Sequence, residues 1–194
     1  KLINDTQYKD QFLLCNNYFK KYLHFIKPYV YLPKYLSTII FIKMNKESLR
    51  RKNFAPDDFF VSTKAKELKI NNVTDNVNIL TCLNKVADKL QEIRDKINAP
   101  ITINSAYRCP EVNKAVGGSP SSWHQQGLAV DINAKGYTQD QLVKWIRDSK
   151  ISIDKCFVER GCVHIQFNLN DEKNRNFFGT AELVKGEWKV KQLS

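Results

Sequence analysis

Ser-Ser-Trp-His-Gln-Gln-Gly-Leu-Ala-Val-Asp-Ile, residues 121 to 132, and Cys-Val-His-Ile-Gln-Phe, residues 162 to 167, hold the side chains of this sequence best suited to chemistry. They are His124, Asp131 and His164. An open catalytic zinc site takes three protein ligands drawn from imidazole, carboxylate and thiolate, and leaves the fourth position to water. Two imidazoles and one carboxylate meet that requirement. Taken singly, a histidine more often satisfies a core hydrogen bond and an aspartate a turn; the joint pattern moves the reading towards a metal.

These residues cannot form the paired-histidine helix of the His-Glu-x-x-His kind, because Gly127 interrupts them and the residues that follow have the character of a strand. They must converge from a loop and a strand, and the surrounding sequence has to position them. Ser62 or Thr63 is expected to start a helical turn. From about Asn76 to Ile97, Ile79, Leu80, Leu83, Val86, Ala87, Leu90, Ile93 and Ile97 recur three or four apart, which predicts a helix with one core-facing stripe. Asn98-Ala99-Pro100 ends it.

Residues 101 to 107 alternate as a strand does, and Pro110 to Val116 reads as a short helix with Pro in its first turn and Gly117 beyond its end. Leu128 to Ile132 is a further strand. Thr138 and Gln141 form a capping-box start for a helix carrying Leu142, Val143 and Ile146 on one face. Lys155 to Glu159 and Cys162 to Phe167 are expected to pair as a hairpin about Arg160-Gly161. Ala181 to Val184 and Trp188 to Val190, joined through Lys185-Gly186, suggest a terminal hairpin. Helices and mostly antiparallel strands in separate runs indicate an α+β fold: one domain with a mostly antiparallel sheet packed by helices, plus an N-terminal extension.

At 194 residues the chain suits one sizeable core with an appendage rather than two typical domains. The expected division is 1–43 as an extension and 44–194 as the domain. Residues 1 to 43 are crowded with Tyr, Phe and Lys and contain no glycine. Their apolar run, Tyr35 to Ile42, falls far short of the roughly 20 residues that span a bilayer, and no signal peptide is recognisable. Met44 is the sole methionine. Either translation begins there, or the first 43 residues are a helical extension packing its aromatics on the domain.

A formal charge of +11 favours acidic partners: nucleic acid, anionic lipid or anionic cell-wall polymers. No RNP-type sequence, Cys/His finger spacing or heptad repeat is present, which disfavours a dedicated nucleic-acid domain. The cysteines, at 15, 82, 109, 156 and 162, include no Cys-x-x-Cys pair, and their odd number prevents complete pairing within one chain. Cys109 and Cys156 are expected to be buried small hydrophobes.

Ser122-x-His124 with Gly127, Ala129 and Asp131, preceded by Ser105-Ala-Tyr-Arg-Cys-Pro-Glu-Val-Asn113 and Gly117-Gly118 and followed by Val163-His164-Ile165, resembles the M15 family of zinc peptidases. That family includes D-Ala-D-Ala carboxypeptidases and bacteriophage endolysins that cut peptidoglycan stem peptides. The resemblance runs from about Asp57 to Leu183. It implies that His124, Asp131 and His164 bind Zn2+, that a glutamate before the last histidine is the general base, and that the arginine of the Ser-x-Tyr-Arg segment handles substrate charge.

Glu159 is the matching acid and Arg108 the matching arginine. With Arg160-Gly161 as the turn, Glu159 faces Cys162, and both share a sheet face with His164; a one-residue slip would turn Glu159 away. On position alone Glu159 is a hairpin-end carboxylate paired with Arg160, and Arg108 a surface arginine. Ser122 hydrogen-bonds near the metal ligands or substrate, or is a plain turn serine. Many relatives have tryptophan where this chain has Cys162, which bears on cleft shape; a thiolate contact with the metal is the minor alternative. Cys156 falls on the opposite face, against a disulfide with Cys162.

The resemblance implies a zinc metallopeptidase acting on peptidoglycan stem peptides, of the D-Ala-D-Ala carboxypeptidase or L-Ala-D-Glu endopeptidase type. The expected setting is a phage endolysin, with a bacterial wall-remodelling enzyme next, acting at the bacterial cell wall without stable membrane insertion and without nucleic acid. A cell-wall-binding or virion structural module that kept the fold and lost turnover is the alternative; His124, Asp131, His164, Glu159 and Arg108 together speak against it.

Overall fold

A computed structural model describes residues 46–184 and 187–192. The reading of residues 1 to 43 and that of the Lys185-Gly186 turn lie outside the described residues.

Ser62 opens helix α1 (Thr63–Leu68), its Oγ accepting from Ala65 N–H at 3.1 Å. Asn76 opens the long helix α2 (Val77–Ile97) in the same way, its side-chain oxygen accepting from the N–H groups of Asn78 and Ile79. Asn98, in the left-handed region at φ 51°, closes α2. The apolar stripe of α2 is the expected one except at Ile79, which is only partly buried: Leu80, Leu83, Val86, Ala87, Leu90, Ile93 and Ile97 are buried. Burying one such large aliphatic side chain is worth about 1.5–3 kcal/mol, several times the spread of helix propensity for an ordinary residue. Packing, then, holds this helix in place.

After strand β1 (Ile101–Ser105) comes α3 (Pro110–Ala115), with Pro at its first position. Strand β2 (Ala129–Ala134) follows, and then α4 (Gln139–Asp148). The capping box of α4 is present: Thr138 Oγ1 accepts from Gln141 N–H at 3.2 Å, and Gln141 Oε1 from Thr138 N–H at 2.9 Å. Strands β3 (Lys155–Glu159), β4 (Cys162–Gln166), β5 (Phe177–Val184) and β6 (Glu187–Gln192) complete the domain.

The strands form one sheet in the order β1-β2-β4-β3-β5-β6. All pairings are antiparallel except β3 with β5, which is parallel. The α+β class holds. Several boundaries differ from those expected from sequence, β1 and β5 among them. β1 stops at Ser105 because a bulge skips Asn104 and the chain then leaves the sheet, Tyr107 N–H donating to Phe59 O. β5 starts at Phe177, four residues early, because it lies alongside β3 from Lys155 onward.

Alternation divides the sheet faces. Val130, Ile132, Cys156, Val163, Ile165 and Phe178 join the stripes of α2 and α4 in the core. Cys109 and Cys156 are buried and unpaired, as expected, and Cys82 and Cys162 are also free thiols. Asp154, fully buried, ties the strand ends together. Its N–H donates to Gln166 O, its carbonyl accepts from Phe177 N–H, and its carboxylate takes Arg175 Nε at 2.7 Å.

Candidate metal centre

Register brings the site together. Ser105 of β1 opposes Asp131 of β2, Asp131 opposes His164 of β4, and His164 opposes Phe157 of β3. Four adjacent strands thus present one row of side chains on the same face. The bulge in β1 is what seats Ser105, rather than Asn104, in that row.

His124 arrives from the loop before β2. Gly127 lets this loop lie against α2: at φ 71°, a Cβ there would stand 2.8 Å from the Ile79 carbonyl oxygen. Ser122 Oγ accepts from His124 N–H at 3.3 Å, and Arg108 N–H donates to His124 O at 3.3 Å. Ser122 therefore shapes the ligand loop. The His124 ring is fixed from behind, Nδ1 lying 2.6 Å from the Ala106 carbonyl oxygen. A carbonyl can only accept, so Nδ1 carries the proton and Nε2 faces the cluster with its lone pair.

His124 Nε2 lies 3.3 Å from His164 Nδ1 and 3.3 Å from Asp131 Oδ1, and His164 Nδ1 lies 2.7 Å from that same oxygen. The three residues are 3%, 7% and 5% exposed, so the donors form a triangle shielded from bulk water. They are the one metal-capable group of His, Cys, Asp and Glu found among the described residues. A tetrahedral ion with bonds of about 2.0–2.1 Å to N and O donors holds them about 3.3–3.4 Å apart. Two edges match that spacing, and the third is closed up by a hydrogen bond from His164 Nδ1–H to Asp131. The residues present fit zinc.

The electrostatics favour the ligating forms. Burial pushes the His124 imidazole down, against the pull of Asp131, and so preserves its lone pair. Burial alone would push the Asp131 carboxyl up, but its interactions with His124 and His164 outweigh it and hold the carboxyl below its usual range. The direction of that shift favours Asp131 as a carboxylate, the ligating form.

Arg108 stands behind Asp131. Nη2 donates to Asp131 Oδ2, and Nε donates to Ser105 Oγ at 2.8 Å. The arginine expected to meet substrate charge is therefore already engaged with the aspartate of the cluster. Ser105 was not among the site residues expected from sequence, and neither were the Ala106 carbonyl, Phe157, whose ring centroid is 4.8 Å from that of His164, and Gln166, whose amide reaches His164 Nε2 at 3.1 Å. Gln166 carried a legible signal, since two residues beyond His164 on a strand is the same face.

Glu159 closes β3 opposite Cys162, in the register expected, across a turn whose residues Arg160 and Gly161 both have positive φ, 48° and 78°. Gln139 Nε2 donates to Gly161 O at 3.0 Å and Arg160 Nη1 to Val116 O at 3.2 Å, so the turn is held from both sides. Arg160 Nε stands 3.8 Å from Glu159 Oε1, beyond charge-assisted hydrogen-bond range. Glu159 is part-exposed and shares the face of His164. The buried Cys162 thiol is pushed up to about 12, by burial first and then by the negative charges of Asp131 and Glu159. It is a neutral thiol beside the donor triangle.

The Peptidase M15 family model matches residues 52–166, more than half of the chain and the whole of the donor cluster. No curated protein matches the chain.

Proposed function

The chain belongs to the Peptidase M15 family, and from that premise we propose that it is a zinc-dependent peptidase that hydrolyses peptide bonds in the stem peptides of bacterial peptidoglycan. The observation that carries this reading is the buried triangle of His124 Nε2, Asp131 Oδ1 and His164 Nδ1, with edges of 2.7–3.3 Å. A bound zinc would supply Lewis-acid polarisation of water and of the scissile carbonyl.

The protein's own groups supply the rest. Glu159 takes a proton from the attacking water and passes it to the departing amine, which makes it general base and then general acid. The Nη1 arm of Arg108 has no acceptor among the described residues, and it offers a donor to the developing oxyanion or to a stem-peptide carboxylate. Asp131 fixes that guanidinium from the other side. The excess of basic residues, +11 over the chain, draws in peptides that carry free carboxylates.

The bond cut is of the D-Ala-D-Ala or the L-Ala-D-Glu type, and the setting is a phage endolysin acting at the cell wall. No helix among the described residues is long and apolar enough to cross a membrane. Mass spectrometry of purified soluble muropeptides, incubated with zinc-loaded and with chelator-treated protein, tests the proposal. Zinc-dependent release of terminal D-Ala, or scission between L-Ala and D-Glu, is expected. Intact muropeptides after prolonged incubation with folded, zinc-loaded protein would overturn it.

A further inference from the structure

Gln166 follows His164 by two residues on β4 and shares its face, and its amide nitrogen lies 3.1 Å from His164 Nε2. The other end of the amide, Oε1, is enclosed and has no hydrogen-bond partner. His164 faces the donor triangle with Nδ1, 2.7 Å from Asp131 Oδ1. Its two nitrogens therefore have different partners, and each tautomer of the ring makes a different demand on Gln166.

With the proton on Nδ1, His164 donates to Asp131 and Nε2 needs a donor, which the Gln166 NH2 group provides. With Nδ1 committed to a metal, the proton must sit on Nε2, and Nε2–H needs an acceptor. Turning the Gln166 amide about its last torsion brings Oε1 to that position. Amide orientation is set by the hydrogen-bond network, and a glutamine has both a donor end and an acceptor end. One end of this amide lies without a partner in either orientation, so the requirement of His164 decides between them.

We infer that Gln166 is the positioning residue of this centre, an amide that reverses to hold His164 in its empty-site tautomer when the donor triangle is metal-free and in its ligating tautomer when zinc is bound. The inference rests on the zinc reading of the site. Groups that hold the outer nitrogen of a ligating histidine typically change metal affinity by about 10- to 100-fold, and Gln166 belongs in that range. Leucine at this position could serve neither tautomer. Glutamate would accept from Nε2–H but not donate, and so would favour the ligating form.

Zinc affinity of the full chain, measured by competition with a chromogenic chelator, tests this without reference to turnover. Gln166→Leu is expected to weaken binding by about 10- to 100-fold, and Gln166→Glu to match or exceed the unsubstituted chain, with similar melting temperatures for the zinc-free proteins. Equal affinity in Gln166→Leu, or a loss in Gln166→Glu as large as that in Gln166→Leu, would overturn the inference. Nitrogen-15 spectra of the unsubstituted protein decide the matter even if Gln166→Leu does not fold. Zinc-free His164 should be protonated at Nδ1, and the Gln166 side-chain amide signals should move on adding zinc; an Nε2–H tautomer before zinc, or unmoved amide signals, overturns it. Failure of the unsubstituted chain to take up zinc would instead remove the metallopeptidase reading beneath it.

Discussion

Arg108 donates to Oδ2 of Asp131 while both histidines face Oδ1 of the same carboxylate. The two oxygens are divided between charge support and the donor triangle. Both side chains are largely buried, so removing the guanidinium strands the Asp131 carboxylate without its one permanently charged partner. Arg108→Met is expected to destabilise the metal-free protein by about 3–5 kcal/mol, the range for breaking one side of a buried ion pair. Urea unfolding measures it. A loss under 1 kcal/mol would show that water replaces the arginine without difficulty.

A second ion pair acts on the strands behind the site. Burial alone would push the Asp154 carboxyl up, but hydrogen bonds from the side chain and backbone N–H of Arg175 outweigh it and hold the group below its usual value. A carboxyl depressed in the folded state stabilises fully above the unfolded value, about pH 4, and loses that contribution as pH falls through the lower folded value. Arg175 is more than half exposed while Asp154 is buried, so solvent screening discounts the pair. Arg175→Ala is expected to cost about 1–3 kcal/mol at pH 7, and the difference from the unsubstituted protein should shrink below pH 4. Chemical denaturation across that pH range checks both the size and the sign.

What was legible in the sequence was local. The stripe of α2, the capping box at Thr138 and the hairpin about Arg160-Gly161 each depend on neighbours within a few residues, and the structure reproduces them. The clustering of His124, Asp131 and His164 was legible because a metal-capable site restricts residue type. The parallel pairing of β3 with β5 was not, since it depends on where the chain returns after residues 167–176 and no local pattern encodes that. Ser105 and the Ala106 carbonyl were equally hidden. A serine hydroxyl or a backbone oxygen becomes part of a site only when a bulge and a register place it there, and a skipped Asn104 is invisible without the partner strand.

Residues 1 to 43 are expected to be dispensable for cleavage. The family match begins at residue 52, and every residue placed at the site falls between Ser105 and Gln166. A truncated protein beginning at Met44 should turn over soluble muropeptides as the full chain does. A tenfold or greater loss with intact folding, about 1.4 kcal/mol in the barrier, would assign the extension to the working enzyme.

Glu159→Gln should separate metal binding from turnover. The hairpin register puts Glu159 on the face of His164, yet the metal-capable cluster consists of His124, Asp131 and His164 without it. The amide keeps the size of the carboxylate and, at neutral pH, cannot accept a proton from water. General-base assistance is typically worth about 10²–10⁴ in rate, so muropeptide turnover should fall by that order while zinc content and melting temperature hold. Near-normal turnover would mean that another residue is the base and that Glu159 serves the hairpin end beside Arg160. Loss of zinc would make the carboxylate a ligand or an essential support of one, and the division of labour between the strand row and the turn would have to be redrawn.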